Sequence, residues 1–500
     1  MRLIGFQFRA RRSKAVVPIS LTSRVMLIAV TILAFITGAA ASTSPQFGGV
    51  LRVQISEHVT NIDPRQWPSD SLNAAATERL ASLAFDRMAH FDAHGVPQPM
   101  LSVSWQQEDN AKRWRFRLRE GVKFSDGSLL TPEIAAMALQ QLLGITFDVS
   151  ATSDSVVIQA DHSLPNFPSQ LAGGNYFIFH TADDGSLAGT GPFGVLGWPT
   201  ARASKIVFVA NEMCWAGRPF VDKIELTMDA DPQQQANAIE FGQAEVVELQ
   251  ASQVRHIGQR GVRTTSSDPV DLFVVRFDMA RPAVRDARLR EAISKAVDRA
   301  SIADVVLQRQ AVPAGGLLPN WLSGYAFLFS SAMDLAHSKV LLGATARDFS
   351  RSAPLVLVYD SADTESRAVA ERVAVNLKEA GMAVQLSGQI TGSAGKLSAA
   401  DMRLVRQRIA SPDIAVALPA LLASLGEPNI VLETPEQEYA AERAPIDAFR
   451  IIPLVHVSES YGVGQQVRDW MPPRWGGWRL EDVWLATAPV PATAPGGITP

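Results

Sequence analysis

Apolar and polar positions alternate around Trp114, Phe116 and Leu118, with Arg113, Arg115, Arg117 and Arg119 on the opposite parity. A period of two is that of a strand with one buried face. Arginines on its open face are solvated or paired with nearby carboxylates, here Glu120 and Asp126, rather than laid out as a phosphate track. The pattern then changes. Residues 124–127 read as a tight turn, and Thr131-Pro132-Glu133 opens an apolar-periodic run to Leu143. Thr at the N-cap, Pro at the first helical position and Glu in the first turn start a helix.

The same reading predicts strands at 49–55, 156–159, 177–180, 206–210 and 223–228, and a helix over 71–85. Near Asp271 the texture shifts to alternating strand and helix. Strands are expected at 272–277, 355–359 and 384–386, and helices at 286–306 and 365–380. Such alternation implies a parallel or mixed α/β lobe. The last quarter returns to strands at 451–457 and 462–467, segment 389–408 reads as a loop, and a proline-rich tail, disordered over 491–500, closes the chain.

Residues 1–24 carry six cations and no acid, residues 25–37 carry no charge, and Ala39-Ala40-Ala41 forms a small-residue cleavage pattern. This is the layout of a cleaved export signal over 1–41. Arg11-Arg12 leaves the choice between general and twin-arginine export open. Removal of the signal leaves 40 basic against 50 acidic residues, a balance of −10, which argues against nucleic acid as a partner. Cys214 is the sole cysteine, so no intramolecular disulfide forms. It reads as a small buried hydrophobe between Met213 and Trp215. No cysteine stands at the cleavage site, so the mature chain is expected free in the periplasm and unlipidated. About 459 mature residues exceed one core and call for two or three lobes.

The stretch "WRFRLREGVKFSDGSLLTPEIAAMAL" resembles the extracellular solute-binding proteins of family 5, the peptide- and nickel-binding receptors of ABC importers. Further stretches follow in the family's order: "GTGPFGVLGW", "NEMCWAGRPFVDKIELTM", "IEFGQAEVVEL", "RFDMARPAVRDARLREAISKAVDRASIADVVL", "APIDAFRIIPLVHV" and "WRLEDVWL". The resemblance spans roughly 47–485. It implies an α/β fold, a two-lobed periplasmic binding protein of type II with an extra inserted α+β subdomain. Lobe I would comprise 42–85, 190–268 and 458–490, the inserted subdomain 86–189, and lobe II 270–457. The arginine-rich strand becomes an edge-facing structural strand.

By the same resemblance the chain is a non-enzymatic, monomeric receptor without cofactor or metal. It would capture a small-molecule or oligopeptide ligand between its lobes and deliver it to an ABC permease in the inner membrane. The alternatives are a sensor or chaperone built on the same fold, or a receptor for a non-peptide solute. Two departures bear on the ligand. In the family's peptide receptors a late segment of lobe II supplies an aspartate for the ligand's α-amine. Here that segment is "SPDIAVALPALLASLGEPNIVLE", with no Trp and no such Asp, and Asp413 at its start is expected to precede a buried strand. The loop "GITFDVSATSDS" is also shorter than the family's insertion. Trp67 and Asp70, after the Asp-Pro turn, and Phe277 and Asp278, at the crossing into lobe II, are the candidate ligand contacts.

His90 and His94 have the i, i+4 spacing of a helical zinc pair, but the residues between them form a turn. "GQITGSAGK" at 388–396 misses the phosphate-loop spacing, and no Gly-x-Ser-x-Gly elbow is present. If the signal is read correctly, N-terminal sequencing of the exported protein begins at Ser42. A membrane-bound chain that keeps residues 1–41 would make the segment an anchor instead.

Overall fold

Two long strands, Arg263–Phe277 and Ile451–Val463, lie side by side and antiparallel in the middle of one mixed sheet. The computed structural model describes residues 44–182, 185–349, 353–390, 400–475 and 477–486. The signal, the tail beyond 486 and most of the near-phosphate-loop segment lie outside the described residues.

On one side of the central pair, Val246–Leu249 joins Ile451–Val463, followed outward by Val50–Gln54, Lys223–Thr227, Lys205–Ala210 and Phe193–Leu196. On the other side, Met402–Arg408 joins Arg263–Phe277, followed by Leu355–Asp360 and Val384–Gln389. The central strands therefore belong to both wings. Their pairing shifts register between Ser266 and Asp271 around Pro269, which has no N–H to give a ladder. Apolar side chains pack in separate clusters. Leu51, Phe85, Phe208 and Tyr461 belong to one wing, and Phe273, Leu357, Val373 and Leu454 to the other.

A separate four-stranded antiparallel sheet runs Ser102–Glu108, Arg113–Leu118, Ser155–Ala160, Phe147–Ala151. Trp114, Phe116 and Leu118 are buried, as the alternation predicts. The strand is internal, however, not an edge. Its Arg113 and Arg115 each meet Glu108 at 3.1 Å, because cross-strand neighbours are nearer than the turn residues Glu120 and Asp126. Gly127 N–H donates to Phe124 O at 2.9 Å with φ +90°, closing the expected turn. Thr131 caps the helix Pro132–Leu143 by accepting from Ile134 N. The shortened loop is itself a strand, Phe147–Ala151, while the strand expected at 177–180 shrinks to His180–Thr181.

Several other expectations are corrected. The helix expected over 286–306 breaks after Ala296: Val297 is extended, Asp298 caps the short helix Arg299–Ser301, and a π-turn Ile302–Val306 follows. Buried Arg299 stabilises the break, donating to Ser294 O (3.1 Å) at the freed helix end and to Pro453 O (2.7 Å). Segment 389–408 contains the strand Met402–Arg408, hidden in the sequence because its arginines read as exposed. The two final strands fuse into Ile451–Val463, since within the polar Ser-Glu-Ser that suggested a break Glu459 pairs with Arg408 and Ser460 bonds Ser266 of the neighbouring strand. Asp413 precedes a helix, Ile414–Ser424, and caps it by accepting from Ala415 N at 3.0 Å. Cys214 is half-buried rather than buried, and its thiol is pushed up to about 11 by burial. His90 lies in a short hairpin, Ala89–Phe91 with Pro97–Pro99, and His94 in its turn.

His456 is buried in the central strand, and its Nε2–H donates to Leu317 O at 2.9 Å. Burial drives its pKa down to about 4 despite that bond. Between pH 6.5 and 4 the unfolded chain therefore binds the extra proton, and stability rises with pH. This contribution, roughly 3 kcal/mol, is complete above pH 6.5 and lost as pH falls through 4. Urea denaturation across that window is expected to show the loss, and His456→Gln to flatten it. An unchanged slope in the variant would place the proton elsewhere.

Candidate functional site

A chain of buried and half-buried charges runs across the central strands between the wings. Arg79 projects from the helix Ser71–Ala84 and is 5% exposed. Its guanidinium binds Glu248, Glu57 (3.1 Å) and Tyr461 OH (3.2 Å), with Glu459 at 3.7 Å. Glu459 also meets Arg408 at 2.7 Å, and Arg408 meets Asp271 at 3.0 Å. Asp271 then binds Arg406 at 2.8 Å, and Arg406 reaches Glu365 at 3.1 Å on the helix Thr364–Ala380 of the other wing. An unbroken series of ion pairs thus runs from a helix of one wing to a helix of the other.

Carboxylates outnumber guanidiniums in this series, and their protons are distributed by environment. Burial would raise Glu459, but Arg408 and Arg79 bring it down to about 2. Burial and the charge of Glu57 hold Glu248 well above the usual range, and burial raises Glu365. Burial also disfavours charged Glu57, yet Arg79 keeps it ionised. The proton of the Glu57–Glu248 pair therefore rests on Glu248. Neutral bonds reinforce the joint: Glu365 accepts from Ala251 N at 2.8 Å, and Gln250 Nε2 donates to Thr364 Oγ1 at 2.6 Å.

The wings also meet at the mouth of the cleft. Trp321 packs on Trp475 with centroids 4.9 Å apart, and Arg474 pairs with Asp268 while lying over Trp321. Asp413 faces Ser169 of the opposite side, which favours its charged form. Gly95, at φ +79°, leaves only enough room for Pro412, since a Cβ would fall 2.5 Å from its side chain. Burial raises Asp413, and burial with the charge of Asp413 raises Glu438.

The candidate contacts fall into two pairs. Trp67 is half-buried with its ring 5.9 Å from Phe177. Asp70 is exposed and caps its helix, accepting from Asn73 N at 2.9 Å. The neighbouring Ser71 accepts from Arg408 N and donates to Gln407, which sets this pair at one end of Met402–Arg408. Phe277 is buried opposite Met402 at the other end, and Asp278 N donates to Asp401 O. The pairs are roughly 17 Å apart along the strand and do not converge on one point. Sequence reasoning missed Arg79, Asp271, Arg406 and Arg408; the available signal was charge interrupting otherwise apolar strands and a helix. Among the described residues no cluster of three or more His, Cys, Asp or Glu is arranged for a metal, and no helix is long and apolar enough to cross a membrane.

A family model described as bacterial extracellular solute-binding proteins, family 5 middle, matches residues 96–435. The chain belongs to this family. It is 27% identical over 392 residues to Protein XP55 of Streptomyces lividans, covering 71% of this chain and 68% of that one. It is 25% identical over 354 residues to the nickel-binding periplasmic protein of Escherichia coli, covering 62% and 66%. The family 5 chain thus spans about two thirds of the length of these relatives. Among solved structures, the oligopeptide-binding protein AppA of Bacillus subtilis in complex with a nonapeptide superposes with a TM-score of 0.74 at 15% identity, covering 89% of this chain and all of that one. NikA of Brucella suis in complex with Fe(III)-EDTA gives 0.74 at 17%, covering 87% and 100%. The fold is therefore that of the type II periplasmic binding proteins, α/β and two-lobed with an inserted α+β subdomain.

Arg79 joins three carboxylates in this family 5 chain. Arg79→Met strands Glu57 and Glu459 without their cation and is expected to cost roughly 3–5 kcal/mol in chemical denaturation. Adding Glu57→Gln, which removes one of the stranded charges, should recover part of that loss. A cost below roughly 1 kcal/mol would mean that the wings are joined by packing alone.

Proposed function

We propose that this protein is the periplasmic substrate-binding component of an ABC importer, taking a peptide or peptide-like solute between its lobes and handing it to a membrane permease. The observation that supports this most is the pair of long strands shared by both wings, with bulges at Ser266 to Asp271. A sheet whose shared strands are irregular while its flanks keep separate cores is suited to hinge closure. In this reading lobe I comprises 42–85, 190–268 and 458–490, the inserted subdomain 86–189, and lobe II 270–457. Trp67 and Asp70 contact the ligand from lobe I, and Phe277 and Asp278 mark the far end of the cleft.

Asp413 and Glu438 add chemistry to this reading. Both are partly withdrawn from water and the charge of Asp413 disfavours that of Glu438, so a ligand ammonium placed there relieves two costs at once. Asp413 in this way offers a carboxylate in a segment whose sequence departs from that of the family's peptide receptors. The binding role requires no catalytic group, and the protein acts as a receptor rather than an enzyme.

Calorimetry with tri- to pentapeptides and their N-acetylated forms tests this, alongside small-angle scattering. Free-amine peptides are expected to bind about tenfold or more tightly than acetylated ones, to compact the chain, and to lose that advantage in Asp413→Asn. Equal binding of both forms would remove the ammonium from the recognition. A failure of every peptide to bind would overturn the peptide reading and leave a different solute.

A further inference from the structure

We propose that the protein carries a second ligand site, selective for a compact organic cation, in a cavity beside Asp86 on one side of the interlobe cleft. The cavity measures about 160 Å³, and the described residues lining it come from 82–100, 172–216 and 475–481, with none from 269–457. It belongs to one side of the cleft, so filling it requires no lobe closure. An apolar cavity of about 150 Å³ accommodates benzene, and the space here admits one six-membered ring with a short substituent.

Its walls are aromatic, with Phe85, Phe91, Phe177 and Trp215 among the lining residues. Asp86 is 3% exposed. Its Oδ2 accepts from Trp215 Nε1 at 2.8 Å and Thr190 Oγ1 at 2.9 Å, both neutral donors. Among the described residues Asp86 makes no ion pair. The nearby guanidiniums make their ion pairs elsewhere: Arg87 binds Glu78 at 2.5 Å and lies 3.8 Å over Phe177, with its Nε buried and without a hydrogen-bond partner, and Arg479 binds Glu481 at 2.8 Å. A buried carboxylate hydrogen-bonded only by neutral donors, with Arg479 acting on it without an ion pair, is incompletely compensated for its desolvation, and burial correspondingly raises the Asp86 carboxyl.

An ammonium supplies the missing countercharge, and the surrounding ring faces attract the same charge through their quadrupoles. The indole N–H groups of Trp475 and Trp478, both lining residues, are buried without hydrogen-bond partners. They provide donors for an acceptor atom on a bound molecule. A purely structural Asp86, tying Thr190 to Trp215, would account for its two hydrogen bonds but not for the cavity or the two unmet indoles.

The test uses the full mature chain with ¹³C-methyl methionine, because Met100 lines the cavity, its resonance being assigned with Met100→Leu. Benzylammonium is the probe, with benzyl alcohol and benzoate as controls. Benzylammonium is expected to shift the Met100 methyl saturably, about tenfold or more tightly than either control, with no change in radius of gyration. Asp86→Asn keeps an acceptor for Trp215 and Thr190 and should erase the preference. Ala216→Leu, at an exposed lining position, should weaken the shift even if the Asp86 variant does not fold. Absence of a saturable shift, equal response to benzyl alcohol, or an undiminished preference in folded Asp86→Asn would overturn the site. Compaction on binding would assign the probe to the cleft instead.

Discussion

Asp271 between Arg406 and Arg408 is the contact on which the joint between the lobes depends. The carboxylate is buried in a central strand directly after the bulge at Pro269, and each of its oxygens meets a different guanidinium from the neighbouring strand. Charges this far from water are tolerable only when paired. The pairing also selects a register, because a slip of one residue would turn both arginines to the opposite face. Asp271 therefore specifies how the two wings share one sheet, and Glu459 and Arg79 extend the same constraint into lobe I.

This arrangement separates rigidity from motion. Each wing has its own apolar cluster, and the strands between them shift register between Ser266 and Asp271 and again between Phe273 and Val274. The polar joint sits beside that irregular stretch, where directional bonds can hold a defined geometry without a continuous apolar core. The contacts at the mouth differ in kind. Trp321 on Trp475, Asp413 on Ser169 and Gly95 against Pro412 are single pairs, and such contacts can exchange for ligand contacts at modest cost. The cavity beside Asp86 is lined from one side of this division and reaches the other only through Trp475, which packs on Trp321.

Much of the fold was legible along the chain. The alternation around Trp114, the Thr131 cap and the strand–helix succession after Asp271 all appear where local chemistry predicts them, because each depends on neighbours within a few residues. The failures share one cause. The strand Met402–Arg408, the fusion of the last two strands and the break at Asp298 all involve charged residues that a local reading sends to solvent. Arg299 is instead buried, and Arg406, Arg408 and Glu459 half-buried, against partners dozens to hundreds of residues away. The candidate contacts were equally local choices, and the distance between the Trp67 and Phe277 pairs became visible only once both were placed along one strand.

The sequence by itself determined the periodicities, the caps and turns, the acidic balance and the ordered stretches that mark the family, since these are properties of residue type and spacing. The tertiary structure alone decided which charges are buried, that the arginine-rich strand is internal, and that Asp86 and Trp215 meet at one cavity. The physical reason is that a charge has no fixed preference for inside or outside. Its place depends on whether a partner arrives from elsewhere in the chain, and only the assembled fold supplies that partner.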